Sequence, residues 1–512
     1  MSKFGKLLGF DAEAKQTTVK KEIIAGVVTF LAMCYILTVN PNQILYAGTE
    51  DARWSSLFIA TAFGAVIGTL LMAFLAKMPL AQASGMGLNS LVGGIVGGGL
   101  GFATAYQYGF EFTIGQAFMM VLISGIVFLL LSVIKIKGKT FRELVFDGMP
   151  VAVRSAISVG IGLFIAYIGF QNAGIVVTNG YTQVGFVDFT NWGDQIVNYS
   201  SATGTWAAAK TACVALIGVF LIAILDKFNV KGSVIIGILG ATVVGIPFGV
   251  TKLKVITGSV DGISWKFWEN YANFFTGGEN SVFGSFASVF TEGFPAGSLF
   301  TIIMLIITMC MIDMFDTMGT IVGCCGGNRI LSDENNKPYN YGKIMIGDAV
   351  ATCAGAMLGT STVTTFVESG AGVSAGGRTG LTAFTTACLF LLATFALPFF
   401  AMIPSAATAS ALIYVGVLMM KNNVKSVDFS NAINAVSAFL TIVVMVLSYS
   451  ITKGIGIGMI SYTLMSLVAY AVDMIVYACK KDAAEKPKFE VSVVAIVVTA
   501  LFLVYFFVPA VL

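Results

Sequence analysis

Apolar runs of about twenty residues recur along this chain, and short polar stretches holding most of its lysines and arginines part them. About 20 predominantly apolar residues make a helix long enough to cross a bilayer. The pattern predicts spans near 23–44, 55–76, 112–135, 150–171, 206–225, 233–250, 296–320, 342–359, 380–402, 404–420, 431–450 and 454–478, with a further apolar stretch at 490–511. Two segments break the pattern: "PLAQASGMGLNSLVGGIVGGG" at 79–99 and "TSTVTTFVESGAGVSAGG" at 360–377. Both are too rich in Gly, Ser and Thr for ordinary spans and too apolar for ordinary loops.

Charge placement supports counting each broken segment as one crossing. Lys and Arg then fall mostly on one side: the N-terminal lysines, Lys77, the 135–142 cluster, Arg329, Arg378, Lys421 and the 480–488 cluster. The 172–205 loop, on the other side, has neither. The positive-inside rule then puts the N-terminus in the cytoplasm. The halves also resemble one another. "AMCYILTVNP" (32–41) aligns with "TMCMIDMFDT" (308–317), and "KGSVIIGILGATVVGI" (231–246) with "KGIGIGMISYTLMSLV" (453–468). Fourteen segments in two sevens have opposite topology. Interrupted segments at matching places of inverted repeats point to a transporter site. The expected division is a first repeat at 1–250, an extracytoplasmic linker at 251–295, a second repeat at 296–478, and a C-terminal cytoplasmic linker with an extra apolar segment at 479–512. The 490–511 stretch has no partner in the first half.

Composition agrees. The chain has 512 residues, 57% hydrophobic and 11% charged, against roughly 25% charged in soluble domains. A net charge of +3 gives no footprint for nucleic acid. The first apolar run is too long for a signal peptide and lacks a cleavage site, so it reads as a retained span. The eight cysteines are scattered without a CxxC pair, which suggests neither a disulfide framework nor a zinc site. There is no histidine, which excludes histidine proton relays and haem ligation and leaves Asp and Glu for proton chemistry.

Candidate chemistry sits in the apolar segments. Asp313 and Asp316, three residues apart on one predicted helix, follow a long uncharged run. Ionisable residues at membrane depth usually mark substrate or ion pathways. Asp313 reads as functional. For Asp316 a structural reading stands beside the functional one, since Thr317 and Thr320 can bond it locally. Glu368 is the sole acid of the second broken segment, and Asn89 sits in the first. Gly85, Gly87, Gly370 and Gly372 let backbones approach closely there, and helix N-termini favour anionic groups. Asp348 reads as a tie between neighbouring helices. Arg378 reads either as a partner for a buried acid or as the end of a half-helix in cytoplasmic water.

"DMFDTMGT", "SGMGLN" and "TTFVESGAGVSAGGRTG" together resemble the signatures of AzgA-like purine permeases, within the nucleobase–ascorbate transporter superfamily, and "TFLAMCYILTVNP" resembles that group's first span. The likeness covers essentially the whole chain. It implies an all-α polytopic membrane protein of the UraA-type fold: two inverted seven-segment repeats, short strands in segments 3 and 10, a core of segments 1–4 and 8–11, and a gate of segments 5–7 and 12–14. It implies a purine site at Asn89, Gly87, Asp313 and Glu368, with Asp316 and Glu368 in coupling and conformational change. Asp in segment 8 and the lack of His favour the AzgA-like group over uracil permeases.

The expected function is purine nucleobase import (adenine, guanine or hypoxanthine) by proton symport, with sodium the less favoured ion. The expected location is a bacterial inner membrane. No cofactor or metal is expected, the lipid bilayer is the surrounding partner, and a homodimer is left open. A carboxylate can grip a purine's ring N–H and amidine edge with two hydrogen bonds. The alternatives are an anion exchanger or a uracil/xanthine permease on the same fold. An intramembrane enzyme has little support, because no nucleophile motif or metal cluster is present.

Overall fold

The computed structural model describes residues 5, 7–11, 13, 15–45, 51–96, 112–136, 139–140, 148–179, 183–189, 209–230, 232–251, 263–325, 330–332, 338–429, 431–448, 450–479, 489 and 491–507. Its elements follow the apolar pattern. In the first half they are α1 (Val19–Met33), α2 (Ile36–Leu45), α3 (Trp54–Leu71), β1 (Gln82–Ser84), α4 (Met86–Ile95), α5 (Ile114–Val133), β2 (Lys135–Ile136), β3 (Lys139–Thr140), α6 (Val151–Asn172), β4 (Val176–Asn179), β5 (Gln183–Phe186), α7 (Ala209–Lys227) and α8 (Ser233–Gly245). The second half begins with α9 (Phe267–Thr276), α10 (Val289–Glu292), α11 (Leu299–Cys325), α12 (Tyr341–Leu358), β6 (Val363–Thr365) and α13 (Ser369–Ser374). It continues with α14 (Gly380–Ala393), α15 (Leu397–Ala401), α16 (Ser405–Asn423), α17 (Ala432–Leu447), α18 (Ile451–Cys479) and α19 (Val493–Phe507). Among the described residues, eight helical stretches are long and apolar enough to cross a membrane.

Interruptions in the helices have local causes. The first span breaks between α1 and α2, where 3₁₀-type bonds run from Leu37 N to Cys34 O (3.2 Å) and from Thr38 N to Tyr35 O (3.1 Å). Pro41 lies inside α2 and cannot donate to the carbonyl four residues back. A π turn, Met72–Ala76, extends α3 and stops at Lys77, whose φ of 56° is left-handed.

The chain forms two compact units. The first combines Met1–Val133 with Ala166–Tyr414 and contains both broken segments. Its interior holds Tyr35, Trp54, Phe58, Phe118, Phe128 and Phe390, all buried. The second combines Ile134–Ile165 with Val415–Leu512. In it α17 and α18 run antiparallel and very close, since a Cβ on Gly458 would stand 1.8 Å from Thr441 Oγ1 and one on Gly454 would stand 2.1 Å from Met445 Cγ. The unpartnered C-terminal stretch becomes α19, which packs on α18. Thr463 and Thr499 share a hydrogen bond (2.8 Å), and Phe502 and Phe506 crowd Gly456.

This packing makes a prediction. Gly458→Leu should lower the thermal midpoint of the detergent-solubilised protein by several degrees, the direction expected of overpacking that costs about 1–3 kcal/mol. Gly342→Ala, where a Cβ meets nothing within 4 Å, should leave it within a degree or so. Equal midpoints for the two variants in a fluorescence melt would refute the close α17–α18 crossing.

Candidate functional site

Two short strands create the site. β1 and β6 pair antiparallel in the register Gln82↔Thr365, Ala83↔Thr364 and Ser84↔Val363. β-branched Val363, Thr364 and Thr365 suit an extended backbone. The ladder extends on both sides, with Gly85 N donating to Thr362 O and Phe366 N to Ala81 O, each at 3.0 Å. Both strands are buried throughout, as non-helical backbone at membrane depth must be. Beyond them the chain turns into α4, which carries Asn89, and into α13, which begins just after Glu368.

Glu368 stands immediately before α13 and is 8% exposed. Its Oε1 accepts from the Tyr35 hydroxyl at 2.6 Å, and its Oε2 has no hydrogen-bond partner among the described residues. Asn89 is fully buried. Its Oδ1 accepts from Ser361 Oγ and its Nδ2 reaches Ser84 O at 3.4 Å. Gly87 lies buried in the first turn of α4. The supporting shell includes Asn40, whose amide donates to Thr61 Oγ1 (2.7 Å) and Thr360 Oγ1 (2.8 Å).

The paired acids of α11 have different surroundings. Asp313 is fully buried, and its Oδ2 accepts from Thr352 Oγ1 at 3.1 Å. One turn on, Thr317 Oγ1 donates to Asp348 Oδ2 at 2.8 Å. Asp–x3–Thr therefore occurs on both α11 and α12, and each Asp is held by the other helix's Thr. Asp348 also accepts from Gln82 Nε2 at 2.9 Å, which ties α12 to β1. Asp316 is half-buried. Both Asp313 and Glu368 act on it electrostatically. Its Oδ2 lies 3.8 Å from where a Cβ on Gly85 would stand, at the start of α4.

The expected residues Asn89, Gly87, Asp316 and Glu368 thus gather around the strand crossing, and Asp313 is tied to β6 through Thr352, which also donates to Val363 O (3.2 Å). Sequence reasoning missed Tyr35, Thr352 and Ser361. A signal existed for Thr352, because "DAVAT" at 348–352 repeats the spacing of "DMFDT" at 313–317. Tyr35 was a polar tip in an apolar run, and Ser361 carried no signal.

A membrane-embedded crossing of two half-helices, lined by carboxylates and an amide, defines a transporter of the UraA-type fold. The chain belongs to the permease family, whose profile matches residues 20–457. It is 33% identical over 452 residues to the adenine permease AdeQ of Escherichia coli, covering 88% of each chain. It is 33% identical over 458 residues to the guanine/hypoxanthine permease PbuO of Bacillus subtilis, covering 89% of this chain and 93% of that one. The transmembrane domain of a cyanobacterial bicarbonate transporter, BicA, shares the fold with a TM-score of 0.57 at 15% identity, covering 86% of this chain and 97% of that one.

The reciprocal Asp–Thr ties should be measurable. Thr317→Val removes the hydroxyl that Asp348 Oδ2 accepts from, and should cost about 1–3 kcal/mol of stability. Thr352→Val should behave alike. Because the four side chains share one interface, the double variant should lose less than the sum. Strict additivity of melting shifts would contradict a shared tie.

Proposed function

We propose that this permease imports purine nucleobases (adenine, guanine or hypoxanthine) by proton symport, with the half-helix pair moving between two access states. The observation that carries the reading is Glu368: a buried carboxylate with one oxygen on Tyr35 and the other without a hydrogen-bond partner among the described residues. A purine's ring N–H and exocyclic amine or amide offer what that oxygen accepts. Asn89, with both donor and acceptor, suits the complementary edge. The names of AdeQ and PbuO support the same substrate class.

Three nearby carboxylates and no histidine support protons as the coupling ion. If protonation and purine binding favour one another, each strengthens the other by the same factor, and the gradient of one drives the other. Three acids also speak against anion exchange, although BicA shares the fold. The charge pattern supports a cytoplasmic N-terminus in a bacterial inner membrane. The repeat and linker division given above, with segments 1–4 and 8–11 as core and the rest as gate, belongs to the same proposal.

On α11 we propose a different division of labour from the one suggested by the sequence. Asp313 is fully buried and accepts from Thr352, while Asp316 is half-buried beside Gly85 and near Glu368. We therefore assign Asp316 to the purine site itself and give Asp313 the inner position, whereas the sequence alone suggests the reverse.

Three measurements test this reading. Glu368→Gln should abolish most uptake of labelled purine while the protein stays in the membrane, because burying an amide is easier than burying a charge. Full uptake with unchanged selectivity would remove Glu368 from the site. In proteoliposomes, uptake should collapse when a protonophore dissipates the proton gradient. Accumulation driven by sodium alone at fixed pH would overturn the coupling. In equilibrium binding, Asp316→Asn should weaken purine affinity by about 1.5–3 kcal/mol, and Asp313→Asn by less. The opposite order would restore the assignment made from the sequence.

A further inference from the structure

The first span grips the second broken segment at three levels. At its N-terminal end Glu22 is fully buried. Its carboxylate accepts from Arg378 N (3.0 Å), Thr379 N (3.3 Å) and Thr382 Oγ1 (2.5 Å). Midway, Gly372 lies so close that a Cβ there would stand 2.0 Å from Thr29 Oγ1 and 2.9 Å from Ala25 O. At the far end Tyr35 reaches Glu368. The order 22, 29, 35 on one strand of the chain meets 378, 372, 368 on the other.

The Glu22 contacts suit a carboxylate. The Arg378 and Thr379 amides lead into α14, where helix geometry leaves N–H groups without intrahelical acceptors and the dipole favours negative charge. Arg378 then works in the other direction. Its Nη1 donates to Val373 O (2.5 Å) and Gly377 O (2.7 Å), covering one carbonyl in the last turn of α13 and one in the turn that follows it. A continuous set of bonds thus runs from Glu22 through the 376–379 turn and Arg378 to α13, which begins next to Glu368.

We propose that Glu22 is a positioning residue of the transport site. Its carboxylate fixes the 376–379 turn, and through Arg378 it sets where α13 holds Glu368. Glu22 touches no substrate in this scheme. The proposal rests on the reading of Glu368 as a purine ligand, and the experiment separates the two.

Full-length protein in liposomes is compared as wild type, Glu22→Gln, Glu22→Asp and Thr382→Val. Two quantities are read: amide hydrogen exchange across 369–382, and KM and Vmax per transporter for labelled adenine and hypoxanthine. Glu22→Gln presents an NH2 to N–H donors. It should speed exchange in that stretch about tenfold and raise KM about tenfold, the scale expected of a small misplacement of a binding group. Glu22→Asp keeps the charge and should recover part of both. Thr382→Val removes one donor, leaves a milder lesion that folds, and should shift both quantities less, in the same direction. Adding Glu22→Gln to Glu368→Gln should raise KM no further.

Unchanged exchange overturns the proposal. So does faster exchange with KM unchanged, because Glu22 would then hold the turn without setting Glu368. Less protein in the membrane with normal KM also overturns it, leaving Glu22 a folding residue. If the wild type takes up neither purine, the functional reading fails. Exchange alone then decides whether Glu22 holds α13, with faster exchange supporting that hold and unchanged exchange refuting it.

Discussion

Backbone N–H and C=O groups cannot be left without partners inside a bilayer, where each costs several kcal/mol. The whole site depends on how two non-helical stretches meet that demand. β1 and β6 satisfy each other, and Gly85–Thr362 and Phe366–Ala81 bonds close the ends. Side chains then seal the rim: Thr69 exchanges bonds with both the N–H and C=O of Gln82, and Ser369 Oγ accepts from Ala81 N. Once this crossing is buried, the start of α4 and the residue before α13 meet at Tyr35, whose hydroxyl lies against Met86 Sδ (3.8 Å) and donates to Glu368 Oε1 (2.6 Å).

Around that crossing the polar side chains are arranged to fix positions. Asp348 bridges β1 to α11 through Gln82 and Thr317, and Thr352 steadies Asp313. Asn40 bonds Thr360, which in turn bonds Ser84 of β1. Buried polar networks of this kind gain rigidity only when their members are satisfied. Here most members have partners, and Glu368 Oε2 is an exception. For the proposed purine ligand, a carboxylate already held by Tyr35 leaves little ordering to be done when the ligand arrives.

Much of this was legible in the chain. Span positions follow from apolar runs, and Gly- and Thr-rich composition singled out the two segments that become strand and half-helix. Asp313, Asp316, Asn89 and Glu368 stood out because polar groups are costly at membrane depth. The pairing of β1 with β6 was not visible, since three-residue strands carry almost no periodic signal. Ser361 and Tyr35 escaped notice because hydroxyls are ordinary in such segments and only their partners make them matter. The ranking of Asp313 over Asp316 rested on depth within the run and on comparison of repeats. Neither reports which face of α11 meets Thr352 and which meets Gly85.

The pairing of β1 with β6 also bears on how the chain is made. Ser84 and Val363 are partners although roughly 280 residues separate them along the chain. At about 5–20 residues per second of synthesis, the first strand waits from a quarter of a minute to a minute for its mate. During that wait, residues 79–96 cannot settle into hydrocarbon as a finished span. They must rest against α2 and α3, or stay in the insertion machinery, until the second repeat arrives. A permease that reads as two similar halves is therefore committed to assembling as one piece.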